Sequence, residues 1–138
     1  MFLLDTNVVS ELRKARSGKA HPGVVAWAQS VPAHALYLSA IGVLELELGI
    51  LLMERRDPGQ GGLLREWLSA QVLPAFEGRV LPVDTTVALR CAALHVPNPG
   101  AERDMLIAAT AMVHGMTLVT RNVADFEASK VALLNPWA

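Results

Sequence analysis

The chain has 138 residues, of which 52% are hydrophobic and only 5% aromatic, with a formal net charge of −1 and one cysteine. That much apolar matter excludes disorder and supports one core within one domain, built mainly from Leu, Val and Ala. The lone Cys91 excludes an internal disulfide framework, and the near-neutral charge excludes a protein coated in cations for nucleic acid.

No apolar run approaches the roughly 20 residues that cross a bilayer, and Asp5 interrupts the segment a secretory leader would need. The expectation is a soluble, unprocessed, cytoplasmic protein.

Phe2-Leu3-Leu4 running into Asp5-Thr6-Asn7 reads as a buried strand that delivers polar side chains to the edge of a sheet. Val8 to Leu12 reads as a short helix, followed by the basic, exposed stretch from Arg13 to Lys19. Pro22 opens a helix to Ser30, and Leu36 to Ser39 is a second strand. Ile41 to Met53 is the clearest helix, with Ile41, Leu44, Leu48, Leu51 and Leu52 as its expected buried stripe. The segment Arg55 to Gly62 is expected to break it before a second helix, Leu63 to Leu73, completes a helical hairpin. Arg79 to Val83 reads as strand three, and Thr85 to His95 as a helix capped by Asp84. After a turn at Pro97-Asn98-Pro99-Gly100, an alanine-rich helix runs from Asp104 to His114, with Gly115 at its end. Thr117 to Thr120 is strand four, Asn122 to Phe126 a helical turn, and Val131 to Leu134 the last strand. Strands and helices alternate, which predicts a parallel sheet with helices on both faces and a site at the strand C-terminal ends.

Four acids stand out. Glu45 falls on the stripe of Ile41, Leu48 and Leu52, where a carboxylate is costly unless paired, protonated or bound to a cation; the ordinary reading is an arginine partner. Glu47, about 200° round the helix, should face solvent. Asp104, at the start of a helix, and Asp125, three residues after Asn122, each read singly as helix-end caps. Taken together, Asp5, Asp104 and Asp125 arise at one edge of a parallel sheet and Glu45 faces it. Such a cluster repels itself unless hard cations hold it, and magnesium takes oxygen ligands together with water and substrate phosphate. Two ions about 4 Å apart can stabilise both the attacking and the leaving oxygen of phosphodiester cleavage. The four histidines lack metal-ligand spacing, Cys91 sits inside a helix, and the glycine run at 59–62 lacks the preceding strand of a phosphate loop.

Leu3-Leu4-Asp5-Thr6-Asn7, Leu44-Glu45-Leu46 with Gly49, Asp104 to Ala111, and Val119-Thr120-Arg121-Asn122 with Asp125-Phe126 together resemble the PIN-domain family, in particular its VapC and FitB type of toxin. The closing Asn135-Pro136-Trp137 is similar to the FitB branch, so the resemblance spans the chain in order as a single PIN-like domain over residues 1–138. It implies an α/β fold, a three-layer α/β/α sandwich around a central parallel sheet of strand order 3-2-1-4-5. It also implies a dimeric endoribonuclease toxin dependent on Mg2+ or Mn2+, neutralised by a cognate antitoxin and able to assemble with it on operator DNA. Carried over, the metal-binding and catalytic acids are Asp5, Glu45 and Asp104. The fourth position is Asn122 where many relatives carry Asp, so Asn122 or Asp125 completes the site. Thr6, Asn7 and Thr120 would orient ligands or waters. Arg13, Lys14, Arg16, Lys19 and Arg121 are candidates for holding the RNA backbone that the acids repel, against the alternative of a solvated loop.

Two other readings share parts of this pattern. A haloacid-dehalogenase-type phosphohydrolase also opens on an apolar strand ending in Asp, but needs a second Asp where this chain has Asn7. A non-catalytic PIN-like module would act only through an antitoxin and DNA complex.

Overall fold

A computed structural model describes residues 1–138. Five parallel strands form the sheet in the order β3-β2-β1-β4-β5: β1 (Phe2–Leu4), β2 (Leu36–Ser39), β3 (Val80–Leu81), β4 (Thr117–Val119) and β5 (Leu133–Leu134). The first strand is central, with Leu3 opposite Tyr37 on one side and Leu118 on the other. Side chains on a strand point alternately to its two faces, and the consecutive leucines use both. Leu4 joins Val8, Val24, Leu38 and Val119 in one buried cluster, while Leu3 joins Ile107, Ala108, Leu118 and Phe126 in the other. Leu3 and Leu4 are 0% and 2% exposed; truncating either to Ala costs about 2–5 kcal/mol.

Helices α1 (Thr6–Leu12), α2 (Pro22–Gln29), α3 (Ala40–Arg56) and α4 (Pro58–Trp67) supply the Leu4 side. A π-helical stretch, Leu68–Val72, extends α4 into the short α5 (Leu73–Ala75). Helix α6 (Thr85–Leu94) packs on α7 (Glu102–Val113), which lies against the Leu3 side. The three fully buried alanines of α7, Ala108, Ala109 and Ala111, allow that close approach. Asp84 caps α6 through Val87 N–H at 2.9 Å, and Gly115, at φ +64°, takes the left-handed conformation that ends α7. No helix is long and apolar enough to cross a membrane.

Four expectations are corrected. The buried face of α3 consists of Gly42, Leu46 and Ile50, whereas Leu44, Leu48, Leu51 and Leu52 are 47%, 40%, 48% and 60% exposed. Both stripes fit a 3.6-residue period, and the sheet covers only one of them. Glu47 is not a free solvent-facing acid, because Arg65 donates to both of its oxygens, at 2.5 and 2.8 Å, and reaches Glu54 at 3.1 Å. The break between the hairpin helices is one residue long: Asp57, extended at φ −147°, caps α4 through Gln60 N–H at 3.2 Å. The glycines that suggested a loop are helical, and Gly61 is where α4 touches α3. A Cβ there would lie 2.5 Å from Glu54 Cα. The outer strands β3 and β5 are also shorter than their apolar runs.

Candidate active site

Asp5 leaves the end of β1 and caps α1. Its Oδ1 accepts Thr6 N–H at 2.8 Å, and its Oδ2 accepts the Thr120 hydroxyl at 2.8 Å and the Asn7 amide at 3.4 Å. Thr120 follows β4, whose carbonyl at Val119 accepts Asp5 N–H at 2.9 Å, so two adjacent parallel strands fix this carboxylate. Glu45 approaches from α3, its Oε1 accepting the Thr6 hydroxyl at 2.7 Å and its Oε2 lying 3.7 Å from Arg103. Asp104 comes from the first turn of α7. These side chains line a cavity of about 430 Å³ with no hydrophobic residue in its wall, formed by Asp5, Thr6, Asn7, Ser10, Glu45, Asp104 and Asn122.

The electrostatics match that convergence. Burial pushes the Asp5 carboxyl above its ordinary range; Thr120 and Thr6 oppose the shift, and Glu45 and Asp125 add to it. Asp104 is raised by burial and then by Asp5, Asp125 and Glu45, against a smaller lowering by Arg103. Like charges crowded in a low-dielectric wall retain protons when nothing else neutralises them.

Of the residues expected at the site, Asp5, Glu45, Asp104 and Asn122 meet at the cavity, with Thr6 and Asn7 also in its wall. Thr120 stands behind Asp5, and its hydroxyl oxygen also accepts Asn122 N–H at 3.0 Å. Asn122 makes no capping bond with its side chain. Asp125 lies on the exposed turn Val123–Asp125, outside the cavity wall, although its charge is felt by Asp5 and Asp104. The expected cations divide. Arg13 lies over the Trp67 ring at 5.9 Å beside the cavity, and Arg16 lines a neighbouring hollow. Lys14 is held by Glu11 at 3.1 Å, Arg121 stacks on Trp137 at 5.5 Å, and Lys19 is exposed. Ser10 and Arg103 were missed. Ser10 lies one helical turn beyond Thr6, and that i, i+4 spacing is the signal by which it could have been found; Arg103 is the arginine partner foreseen in general form for Glu45.

All the cavity donors are hard oxygens or a side-chain amide, with room for solvent, which suits a divalent hard cation that keeps several waters. A tighter trio of metal-ligating side chains lies elsewhere: Cys91, His95 and Glu102 place one ligand atom each within 4.8 Å of the others. There, His95 Nδ1 accepts Gly100 N–H at 3.1 Å. The neutral ring therefore carries its proton on Nε2, the nitrogen facing Cys91 and Glu102, and is not set to ligate through it.

A family model described as the PIN domain matches residues 2–130. Toxin FitB of Neisseria gonorrhoeae is 41% identical over 142 residues, covering 99% of both chains. VapC ribonuclease Y4jK of Sinorhizobium fredii is 39% identical over 145 residues, covering 99% of this chain and 98% of the relative. Among solved structures, FitAcB from Neisseria gonorrhoeae superposes with a TM-score of 0.89 at 40% identity, covering 99% of each chain. FitAB bound to a DNA fragment gives a TM-score of 0.89 at 39% identity, over 100% of this chain and 96% of that one. The chain belongs to the PIN-domain family. Membership displaces the haloacid-dehalogenase reading, consistent with Asn7 supplying a donor to Asp5 instead of a second carboxylate.

Proposed function

We propose that the protein is an endoribonuclease toxin of a toxin-antitoxin pair, dependent on Mg2+ or Mn2+ and acting in the cytoplasm. The observation that carries this reading is the meeting of Asp5, Glu45 and Asp104 in one cavity lined only by polar residues at the C-terminal ends of the central strands. The ribonuclease name of the Sinorhizobium relative and the toxin name of the Neisseria relative support it.

Asp5, Glu45 and Asp104 would hold the ion, with Asn122 completing the wall and Asp125 adding negative potential from outside it. When bound, the ion supplies Lewis-acid stabilisation of the charge that builds on the phosphodiester and makes water a better nucleophile near neutral pH. The protein's part is to hold these oxygens still. Thr120 and Thr6 fix the two sides of Asp5, Thr6 also fixes Glu45, and Arg103 offsets the carboxylate charge from the solvent side. Asp5 and Asp104, with raised proton affinities, must lose their protons before they can ligate, so cation binding favours neutral over acid pH.

The partners are RNA as substrate, a cognate antitoxin and a second copy of the chain. The exposed leucines of α3, with Leu63 of α4, form apolar surface of the kind a protein partner covers. The solved FitAB complex on DNA supports assembly of toxin and antitoxin on operator DNA. The test is RNA cleavage by purified wild type and Asp5→Ala with Mg2+, Mn2+ or EDTA, alongside circular dichroism. Wild type should cut only with metal, and folded Asp5→Ala should not cut. Equal cleavage by the two proteins would refute the assignment. Absence of metal binding by calorimetry would favour the non-catalytic module.

A further inference from the structure

Two hollows continue from the acidic cavity along the same side of the molecule. The nearer, of about 350 Å³, shares Thr6, Ser10 and Glu45 with the cavity and is also lined by Arg13 and Trp67. The farther, of about 200 Å³, begins at that same Arg13–Trp67 pair. Its walls are mainly apolar, including Val9, Leu12 and Phe76, with Arg16 and the Gln71 amide as further polar groups. A groove therefore runs from clustered carboxylates, past a guanidinium stacked on an indole, into an apolar pocket flanked by a second guanidinium.

The placement of the cations points to the occupant. Lys14 is bound to Glu11, Arg65 to Glu47 and Glu54, and Arg103 to Glu45. Most of the other cations have no carboxylate partner; Arg13 and Arg16, both exposed, are the unpaired ones that line the groove. Two unneutralised guanidiniums at the rim of an aromatic-edged pocket suit a ligand that is anionic along its backbone and flat and apolar in its side groups. A single-stranded nucleic acid has both properties, and bases stack on aromatic and guanidinium planes. The Gln71 amide can both donate to and accept from a base edge. A basic peptide segment would be repelled at this end.

We propose that Trp67, with Arg13, Arg16 and Gln71, forms a nucleobase subsite: an unpaired base near the scissile phosphate enters the apolar pocket, while Arg13 and Arg16 hold the flanking phosphates. This rests on the ribonuclease reading, whose substrate it narrows to RNA that is single-stranded beside the cut. Base-paired RNA cannot present a base to the pocket and is a poor substrate.

The test is a scan of short single-stranded RNAs, each lacking the base at one position. Cleavage is measured with wild type and Trp67→Leu, and binding with Asp5→Asn and Asp5→Asn/Trp67→Leu. One abasic position should cost wild type about tenfold, within the range of base–aromatic stacking, and cost Trp67→Leu nothing further. Equal abasic costs in both proteins, or none at any position, would overturn the subsite and leave the pocket to a protein partner. Should Trp67→Leu fail to fold, Arg16→Glu on the exposed turn replaces it. That variant should weaken RNA binding and lower the salt slope by about one, and an unchanged slope would overturn the proposal. The two readings fail separately. Wild type that cuts no RNA, while the Asp5→Asn scan retains one base-sensitive position, refutes the nuclease; cleavage without such a position refutes the subsite alone.

Discussion

The hydroxyl of Thr120 donates to Asp5 Oδ2 at 2.8 Å, joining two residues 115 positions apart at the ends of neighbouring parallel strands. Thr120 is fully buried and Asp5 nearly so. Removing the donor leaves a buried carboxylate oxygen short of its best partner.

Thr120→Val, which keeps shape and removes the hydroxyl, should therefore cost about 1–3 kcal/mol in urea unfolding. It should also raise the proton affinity of Asp5 further, because the Thr120 bond is the largest effect lowering it. Mn2+ affinity by calorimetry should fall about 10- to 100-fold, as when a group that orients a metal ligand is lost. Wild-type affinity in Thr120→Val would show that the bond does not hold the ligand in place.

The two candidates at the far side of the site make different predictions. Asn122 lines the cavity and Asp125 does not. Asn122→Asp should tighten Mn2+ binding by adding a carboxylate to the wall, while Asp125→Ala should weaken it less than Asp104→Ala does. A larger loss in Asp125→Ala than in Asp104→Ala would make Asp125 a direct ligand.

Asp104 has a proton affinity raised above its ordinary value of 3.8 by burial and by Asp5, Asp125 and Glu45. Between that ordinary value and the raised folded one, the native state binds more protons than the unfolded chain, so this residue's contribution to stability falls as pH rises. Without metal, Asp104→Asn should be more stable than wild type at pH 7, and the gap should close as pH is lowered toward the ordinary carboxylate range. Saturating Mn2+ should shrink the gap by stabilising wild type. Urea titrations at several pH values measure it; a gap independent of pH would contradict the cause given for the shift.

Gly61→Ala tests the hairpin. A Cβ at this position meets Glu54 Cα and N at 2.5 and 2.7 Å, and backbone atoms cannot rotate away. The substitution should destabilise by about 1–3 kcal/mol, although Ala is the better helix former. Gly62→Ala, with open space around it, should be neutral or stabilising. Equal effects of the two in thermal unfolding would refute the close contact between α3 and α4.

Much of the site was legible in the sequence because the chemistry is local. A strand that ends in an acid places that acid at a sheet edge, and helix starts place theirs nearby. Strand ends, helix periodicity and the family motifs therefore point to Asp5, Glu45 and Asp104. The alternation of strands and helices likewise pointed to the parallel sheet, and the family resemblance implied its strand order of 3-2-1-4-5.

What the sequence left open was decided by which surfaces touch. Helix α3 carries two apolar stripes of equal period, and only the packed sheet selects Gly42, Leu46 and Ile50 over the leucines left outside. The glycines at 59–62 signal a break by propensity, yet contact with Glu54 makes Gly61 a packing residue within a helix. Asp5 depends in the same way on Thr120 and Glu45, which no local pattern brings to it. The opening strand determined that an acid would stand at a sheet edge, and only the tertiary structure decided its partners, because those hydrogen bonds and repulsions exist only once distant segments share one buried edge.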